Sequence, residues 1–349
     1  MSSSDGIALV VAGAVYPYWT GYQLESDFLT PTDGFTFTVA DPTEDQVAAV
    51  SEGASVQLVF GRTTVLSGWI DEKRLTCSRQ GSQLTLTGRD FAAPLVDCSV
   101  PLRWTWRDVT LLHLAELALD ELGVTADIIA DADASQKVKY VRPSPGETFW
   151  QVLARETERL RLMLWTEADG LHIGRPDYTS AAVGTLRLCR TPSLAKDNNV
   201  KSAEHAWRTS GRRSRVTVVG QSGGDDALFG GSASQVSASA TDDALVALGL
   251  NRPHVLEDAG CRTRAACTDR AKWEVSSRLG EGWVGTYTVP GHGPSDGVVW
   301  DVDSIVNVLD ERAGVRGPKW IAARRFARSR EGTTTVLTLR DLNAILPAT

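Results

Sequence analysis

The stretch Trp69–Asp90, WIDEKRLTCSRQGSQLTLTGRD, returns as Trp320–Asp341, WIAARRFARSREGTTTVLTLRD, without a gap. Ten of the twenty-two positions are identical, among them Trp69/Trp320, Arg74/Arg325, Gly81/Gly332 and the closing Arg89-Asp90/Arg340-Asp341. After a shift of one residue the match extends upstream. Thr36-Phe37-Thr38-Val39 aligns with Thr286-Tyr287-Thr288-Val289, and Val56-x-Leu58 with Val306-x-Val308. Self-similarity on this scale decides architecture before any local motif does. Two copies are too few for a solenoid, so the chain reads as a duplicated β domain.

Residues 7–40 alternate in strand fashion through IALVV, GAVYPYW, YQLESDF and FTFTV, punctuated by Gly, Pro, Thr and Asp. SVQLVF, VLSGWIDEKRLTCSR and SQLTLTGRD follow, with Gly61-Arg62 and Gln80-Gly81 as turns. Six or seven short strands in about ninety residues suffice to close a small barrel. From Pro101 the period changes. In RDVTLLHLAELALDELGV, Leu111, Leu114 or Ala115, Ala118 and Leu122 share one helical stripe, with Asp108 or Thr110 as cap and Gly123 as stop. SPGETFWQVLARETERLRL predicts a second helix with Ser144 as N-cap, Pro145 in the first turn and Glu147 completing a capping box. Asp169-Gly170 reads as a hairpin turn.

GTLRLCR, VKSAEHAWR and SRVTVVGQ open the second β unit. The segment 222–244 is dominated by Gly, Ser, Ala and Asp, which predicts a mobile loop. CRTRAACTDRAKWEVSSRLGEG predicts a third helix along Ala265, Cys267 or Thr268, Ala271 or Lys272, and Val275, ending at Gly280. The fold class is α+β, mainly β. It comprises a first β-barrel domain over 1–98, an α+β domain over 99–178, and a second β-barrel domain over 179–349 with a loop and helix insertion at about 222–282.

A chain of 349 residues, 42% hydrophobic, can fill two or three such cores. Eleven tryptophans, mostly at strand or helix positions, read as packing residues. The formal charge of −7 argues against a protein whose main task is gripping nucleic acid through a basic face. Cys77, Cys98, Cys189, Cys261 and Cys267 are scattered without a C-x-x-C pair, which fits reduced, cytoplasmic assembly. IALVVAGAV is preceded by Asp5 and by no Lys or Arg, and it is too short to span a bilayer, so no leader or membrane anchor is expected.

No constellation for catalysis stands out. His113, His172, His205, His254 and His292 show no metal-binding spacing and read as surface or satisfied core residues. Asp301 and Asp303 flank Val302 on one strand face and could in principle serve as acid and base, but no nucleophile or glycan-binding signature accompanies them, so they read as a solvated sheet face. No G-x-S-x-G, Walker loop or G-x-G-x-x-G is present. No catalytic, cofactor-binding or metal-ligating residue is therefore assigned. The basic runs RTSGRRSR (208–215) and ARRFARSR (323–330) split their charges between strand faces or sit among acidic residues. Arg212, Arg213, Arg215, Arg324, Arg325 and Arg328 are expected mostly to pair with acids or face protein partners.

The order of segments is itself informative. A β domain ends in LTLTGRDFAAPLVDCS; LLHLAELALDELGV and GETFWQVLARETERLRLMLWTEADGLHIGR follow; then come a strand pair closing in VTVVGQ, a RAKWEVSSR helix, and GVVWDVDSIVNVLD with WIAARRFARS. In this order they resemble the baseplate hub proteins of Mu-like contractile-tailed phages, the late control D family, whose fold also underlies the base of type VI secretion spikes. The resemblance implies a non-enzymatic homotrimer in the virion, assembled in the host cytoplasm. It joins the hexameric tail tube protein to a trimeric central spike protein, contacts baseplate wedge proteins, and lets DNA pass in transit. Two barrels per chain would give a trimer six near-equivalent barrels. The chain stops at LNAILPAT without a β-helix or lysozyme-like insert, so a separate spike is expected. The hub of a tailocin or another contractile injection system fits the same resemblance. A tail-associated glycan hydrolase is the alternative of another class.

Overall fold

The computed structural model describes residues 6–101, 103–221, 236–258, 260–280, 282–295 and 297–342. Twelve strands carry the repeat. In the first half they are β1 (Ile7–Val11), β2 (Gly21–Asp27), β3 (Gly34–Ala40), β4 (Ser55–Phe60), β5 (Thr63–Ser78) and β6 (Gly81–Asp90). In the second half they are β7 (Thr185–Leu188), β8 (Ser202–Trp207), β9 (Trp283–Pro290), β10 (Ile305–Asp310), β11 (Val315–Ser329) and β12 (Gly332–Arg340). With the short strand Ala14–Val15 on the free side of β1, they form one thirteen-stranded sheet.

The order across the sheet is β2-β3-β6-β5-β4-β1 in the first half and β8-β9-β12-β11-β10-β7 in the second. Each strand of one half thus has its counterpart, six strands later, in the same place. Trp69–Asp90 and Trp320–Asp341 occupy equivalent hairpins, and Gly81 and Gly332 turn both at positive φ (140° and 107°), where a side chain would be strained. One strand breaks the correspondence in direction: β1 runs antiparallel to β4, β7 parallel to β10. The mainly β architecture is as the sequence predicts, but its repeat strands lie in one large sheet. The sheet itself is an open path, not two closed rings of strands.

Burial follows the period of two that strands impose. Tyr22, Leu24 and Ser26 of β2, Phe35, Phe37 and Val39 of β3, and Leu84 and Leu86 of β6 point to one interior. Tyr287, Val289, Leu337 and Leu339 repeat the pattern in the second half. The first-half ladder curls until its end strands meet, since the Ile7 N–H of β1 donates to the Tyr22 hydroxyl of β2 at 2.9 Å.

Between β6 and β7 lies a small α+β layer. Helices Leu111–Leu122 and Phe149–Arg159 pack Leu111, Leu114, Ala118, Phe149, Val152 and Leu153 against Leu164, Leu171 and Ile173. The first helix begins at Thr110, whose hydroxyl accepts the His113 N–H, and stops at Gly123 with φ 65°. The second begins later than Ser144 predicts. Gly146 at φ 83° holds the chain out of the helix, and Thr148 with Gln151 makes the capping box.

The strand Arg215–Gly220, which the sequence places with the second β unit, belongs instead to a separate three-stranded sheet. It pairs antiparallel with Val236–Thr241 and parallel with Pro253–Glu257. Helix Arg264–Gly280 covers one face, with Cys267 and Ala271 against Val216 and Val218. The predicted mobile loop over 222–244 lies outside the described residues up to 235. Its remainder contains the strand Val236–Thr241 and the start of a helix over Asp243–Ala247, capped by Asp242. The chain falls into two compact units: residues through 203 with 287–317 and 321–338, and residues 204–286 with 318–320 and 339 onward.

Candidate functional site

The residue types that could carry chemistry are absorbed into structure. Asp301 pairs with Arg324, Nη1 to Oδ1 at 2.9 Å, and Arg324 also donates to the Trp300 carbonyl at 2.6 Å from an almost fully buried position. Asp303 stands at φ 55° and accepts the Asp177 N–H. The two carboxylates therefore have separate anchoring tasks and make no acid–base pair.

His292 is buried at the centre of a directed relay. The Ile7 N–H donates to the Tyr22 hydroxyl, which lies 2.7 Å from His292 Nε2. Nδ1 lies 3.1 Å from Thr335 Oγ1, and that hydroxyl donates to the Gly291 carbonyl. The chain of donors makes Nδ1 the protonated nitrogen of a neutral ring. Burial, aided by the Arg324 and Arg328 charges, lowers its pKa to about 4. Of the others, His113 is exposed beside Glu116, His172 stacks on Trp165, His205 stacks between Trp207 and Trp283, and His254 is half-buried.

Two buried carboxylates lie where the first β half meets the α+β layer. Asp90 accepts the Asp33 and Ala92 N–H groups and the Thr166 hydroxyl, at 3.0, 3.0 and 2.8 Å. Desolvation pushes its carboxyl up to about 6. Desolvation and then the neighbouring Asp90 charge push Asp33 up to about 8. The counterpart of Asp90 in the second copy, Asp341, is exposed and pairs with Lys319. The Asp that closes both repeats is thus buried in the first and exposed in the second.

Sequence reasoning missed one ligand-type group. Glu167, Asp169 and His172 bring one atom each within 4.8 Å of one another around the Asp169-Gly170 turn. Their shared hairpin, with Glu-x-Asp-x-x-His spacing, was the available signal. All three side chains are already engaged: Glu167 accepts the Trp165 Nε1–H at 2.7 Å, and His172 Nε2 lies 2.8 Å from Asp169 Oδ1.

Of the six arginines expected mostly to pair, three have acidic partners: Arg212 with Asp242, Arg324 with Asp301, and Arg325 with Glu25 at 3.9 Å. Arg213 donates to the carbonyls of Ser210, Gly211 and Arg212, and Arg328 lies over the Trp19 ring. A cleft of about 250 Å³ gathers Arg208, Arg212, Arg278 and Arg340.

The most informative site is the seam between repeats. Strand β2 pairs antiparallel with the C-terminal half of β11, from Tyr22 opposite Arg328 to Asp27 opposite Ala323. Phe326 and Leu24 meet there fully buried, while Arg325 faces Glu25 on the other side. Among the described residues the matching arm of the first copy, Glu72–Ser78, has only β6 as a paired strand, and Leu75, the counterpart of Phe326, is 47% exposed. Strand β8, the counterpart of β2, pairs among the described residues with β9 alone, and its Trp207 is 64% exposed.

Comparison with known proteins places the chain among phage tail proteins. Residues 6–90 match the N-terminal domain of the Mu phage baseplate assembly protein GpP-like family, 92–175 the second domain of baseplate hub protein gp44-like proteins, and 263–348 the fourth domain of the Mu phage baseplate assembly protein GpP. A tail protein from Neisseria meningitidis MC58 is 31% identical, with a TM-score of 0.83 over 98% of both chains. The chain belongs to the baseplate hub family of Mu-like phages. The 43 kDa tail protein of prophage MuSo2 from Shewanella oneidensis shares the fold, with 23% identity and a TM-score of 0.81 over 98% of this chain and 100% of that one. Baseplate hub protein gp44 of Escherichia phage Mu is 24% identical over 199 residues, 56% of this chain and 49% of the relative, so the match spans about half of that protein. The family is one of structural tail and baseplate proteins, parts of the virion, and no described helix is long and apolar enough to cross a membrane.

Proposed function

We propose that the chain is the homotrimeric hub at the centre of a contractile-tail baseplate, adapting the six-fold tail tube to a three-fold central spike. The observation that carries this reading is the repeated strand order, β2-β3-β6-β5-β4-β1 and β8-β9-β12-β11-β10-β7, within one chain. Three chains so built offer six near-equivalent β units, and a head-to-tail contact that closes makes them a ring. Each half then acts as a small barrel, a reading supported in the first half by the Ile7–Tyr22 link between its end strands. The domains are 1–98, 99–178 and 179–349. Tube, spike and wedge proteins are the partners, DNA passes only in transit, and assembly takes place in the host cytoplasm. Mass photometry of the purified chain tests the stoichiometry. A trimer at micromolar concentration is expected, and negative-stain averages should show six lobes around a channel. A dimer, which would give four units, or a monomer alone would sink the proposal.

A further inference from the structure

The seam inside the chain predicts the seam between chains. The Thr20 N–H donates to the Thr38 carbonyl at 2.7 Å, and the Lys201 N–H donates to the Thr288 carbonyl, also at 2.7 Å. Thr38 and Thr288 are counterparts in the repeat, so Thr20 corresponds to Lys201. It follows that Tyr22, Leu24 and Ser26 of β2 correspond to Ala203, His205 and Trp207 of β8. The hairpin alignment likewise makes Glu72–Cys77 of β5 the counterpart of Ala323–Arg328 of β11. Inside the chain β2 and β11 are joined. Among the described residues their counterparts, β8 and the outer arm of β5, each expose an open edge.

We propose that these two edges join head-to-tail between copies of this chain, β8 of one adding antiparallel to Glu72–Cys77 of the next. Transferring the register of the internal seam sets Cys77 opposite Ala203, Leu75 opposite His205, Lys73 opposite Trp207, and Glu72 opposite Arg208 of the neighbour.

Several features of the two edges fit this occupant. Phe326 is fully buried by its seam, and its counterpart Leu75 stands open; Ser26 is 2% exposed, and its counterpart Trp207 is 64% exposed. Both apolar side chains lie on the face that is covered at the internal seam. On the opposite face the internal seam sets Arg325 against Glu25, and the transferred register again sets unlike charges together, Glu72 against Arg208. Neither edge carries a proline, the usual guard of a free strand. The main-chain groups of an unpaired edge favour addition of a strand, and register is held where one face becomes buried.

This pairing rests on the ring reading above, and its test separates the two. Ala203→Cys, in a Cys98→Ser background, gives a thiol directly opposite the native, exposed Cys77. Opposed residues in antiparallel strands have β-carbons about 5 Å apart, near enough for a disulfide after a small adjustment. Mild oxidation should convert most of the protein to covalent multimers ending at a closed trimer, with a peptide in the digest that links Cys77 to the thiol introduced at position 203. Cys77→Ser should abolish them, and Glu204→Cys, whose side chain points to the other face, should give at most a tenth as much. Should Ala203→Cys fold poorly, charge reversal supplies a second test: Glu72→Arg and Arg208→Glu each weaken assembly at least tenfold, and the double variant restores it. A trimer by mass photometry that yields no link between Cys77 and the introduced thiol and ignores the reversals overturns the pairing and leaves the hub trimer standing. A chain that stays monomeric and unlinked overturns both.

Discussion

Asp33, Asp90 and His292 set opposing pH dependences in one molecule. An ordinary aspartate titrates near 3.8, while the fold holds the proton on Asp33 up to about 8 and on Asp90 up to about 6. Across that window the folded chain keeps protons that the unfolded chain has released, so these two carboxyls lower stability as pH rises from about 4 to 8. His292 acts in the other sense. Its pKa falls from 6.5 to about 4, so the stability of its neutral, fully bonded ring is complete above 6.5 and is lost as pH drops toward 4. Asp33→Asn keeps the shape and cannot ionise beside Asp90. The variant should be more stable than the parent at pH 8.5 by about 1–3 kcal/mol, taking about 1.4 kcal/mol per pKa unit and discounting for coupling and relaxation. The gap should close below pH 4.5. Thermal melts of both proteins across this range check it, and a parent more stable at pH 8.5 would show that Asp33 is ionised and paired in the fold.

At the scale of elements the two repeat copies share order but not detail. Gly88 in β6 lies so close to β5 that an added β-carbon would sit 2.0 Å from the Trp69 carbonyl oxygen and 2.4 Å from the Phe35 ring. Its counterpart in β12 is Leu339, so the second copy has no such crossing. Gly88→Ala must displace backbone as well as a packed ring. It should cost about 2–3 kcal/mol, the upper range for overpacking, read as a lowered urea midpoint; a midpoint unchanged from the parent would show that the strands separate at little cost. Such contrasts mark what a sequence discloses. The Leu111–Leu122 helix was legible because its signals are local: Thr110 caps it and Gly123 stops it. The Phe149–Arg159 helix had a misleading local signal, since the Ser144 N–H does bond Glu147, yet Gly146 turns the chain away before the helix begins. Val236–Thr241 was illegible by composition: Ser and Ala alternate there, and the strand is held by Arg215–Gly220, about twenty residues earlier in the chain. The internal seam joins residues some three hundred positions apart and leaves no local trace, whereas the repeat that generates it was plain.

For the whole molecule, the distribution of charge bears on how DNA would traverse a hub. A channel wall that neutralised many phosphates would release counterions and hold the duplex, each contact strengthening the grip at low salt. The chain carries 43 acidic against 36 basic residues, and three arginines of its basic runs are occupied by Asp242, Asp301 and Glu25. Those pairs remove much of the positive potential that the sequence displays. The purified assembly should therefore bind duplex DNA no tighter than non-specific proteins do, with a Kd of about 10⁻⁶ M or weaker at physiological salt. Gel-shift titration over a salt series checks this directly. The informative variants are Arg215→Glu and Arg330→Glu, because Arg215 and Arg330 are exposed and lie outside the proposed seam, whereas Arg212 is bound at 2.7 Å to the buried Asp242 and its reversal would damage the fold. Nanomolar binding with a steep salt slope, abolished by reversing Arg215 and Arg330, would mean that the basic runs grip DNA and that the chain does more than let it pass.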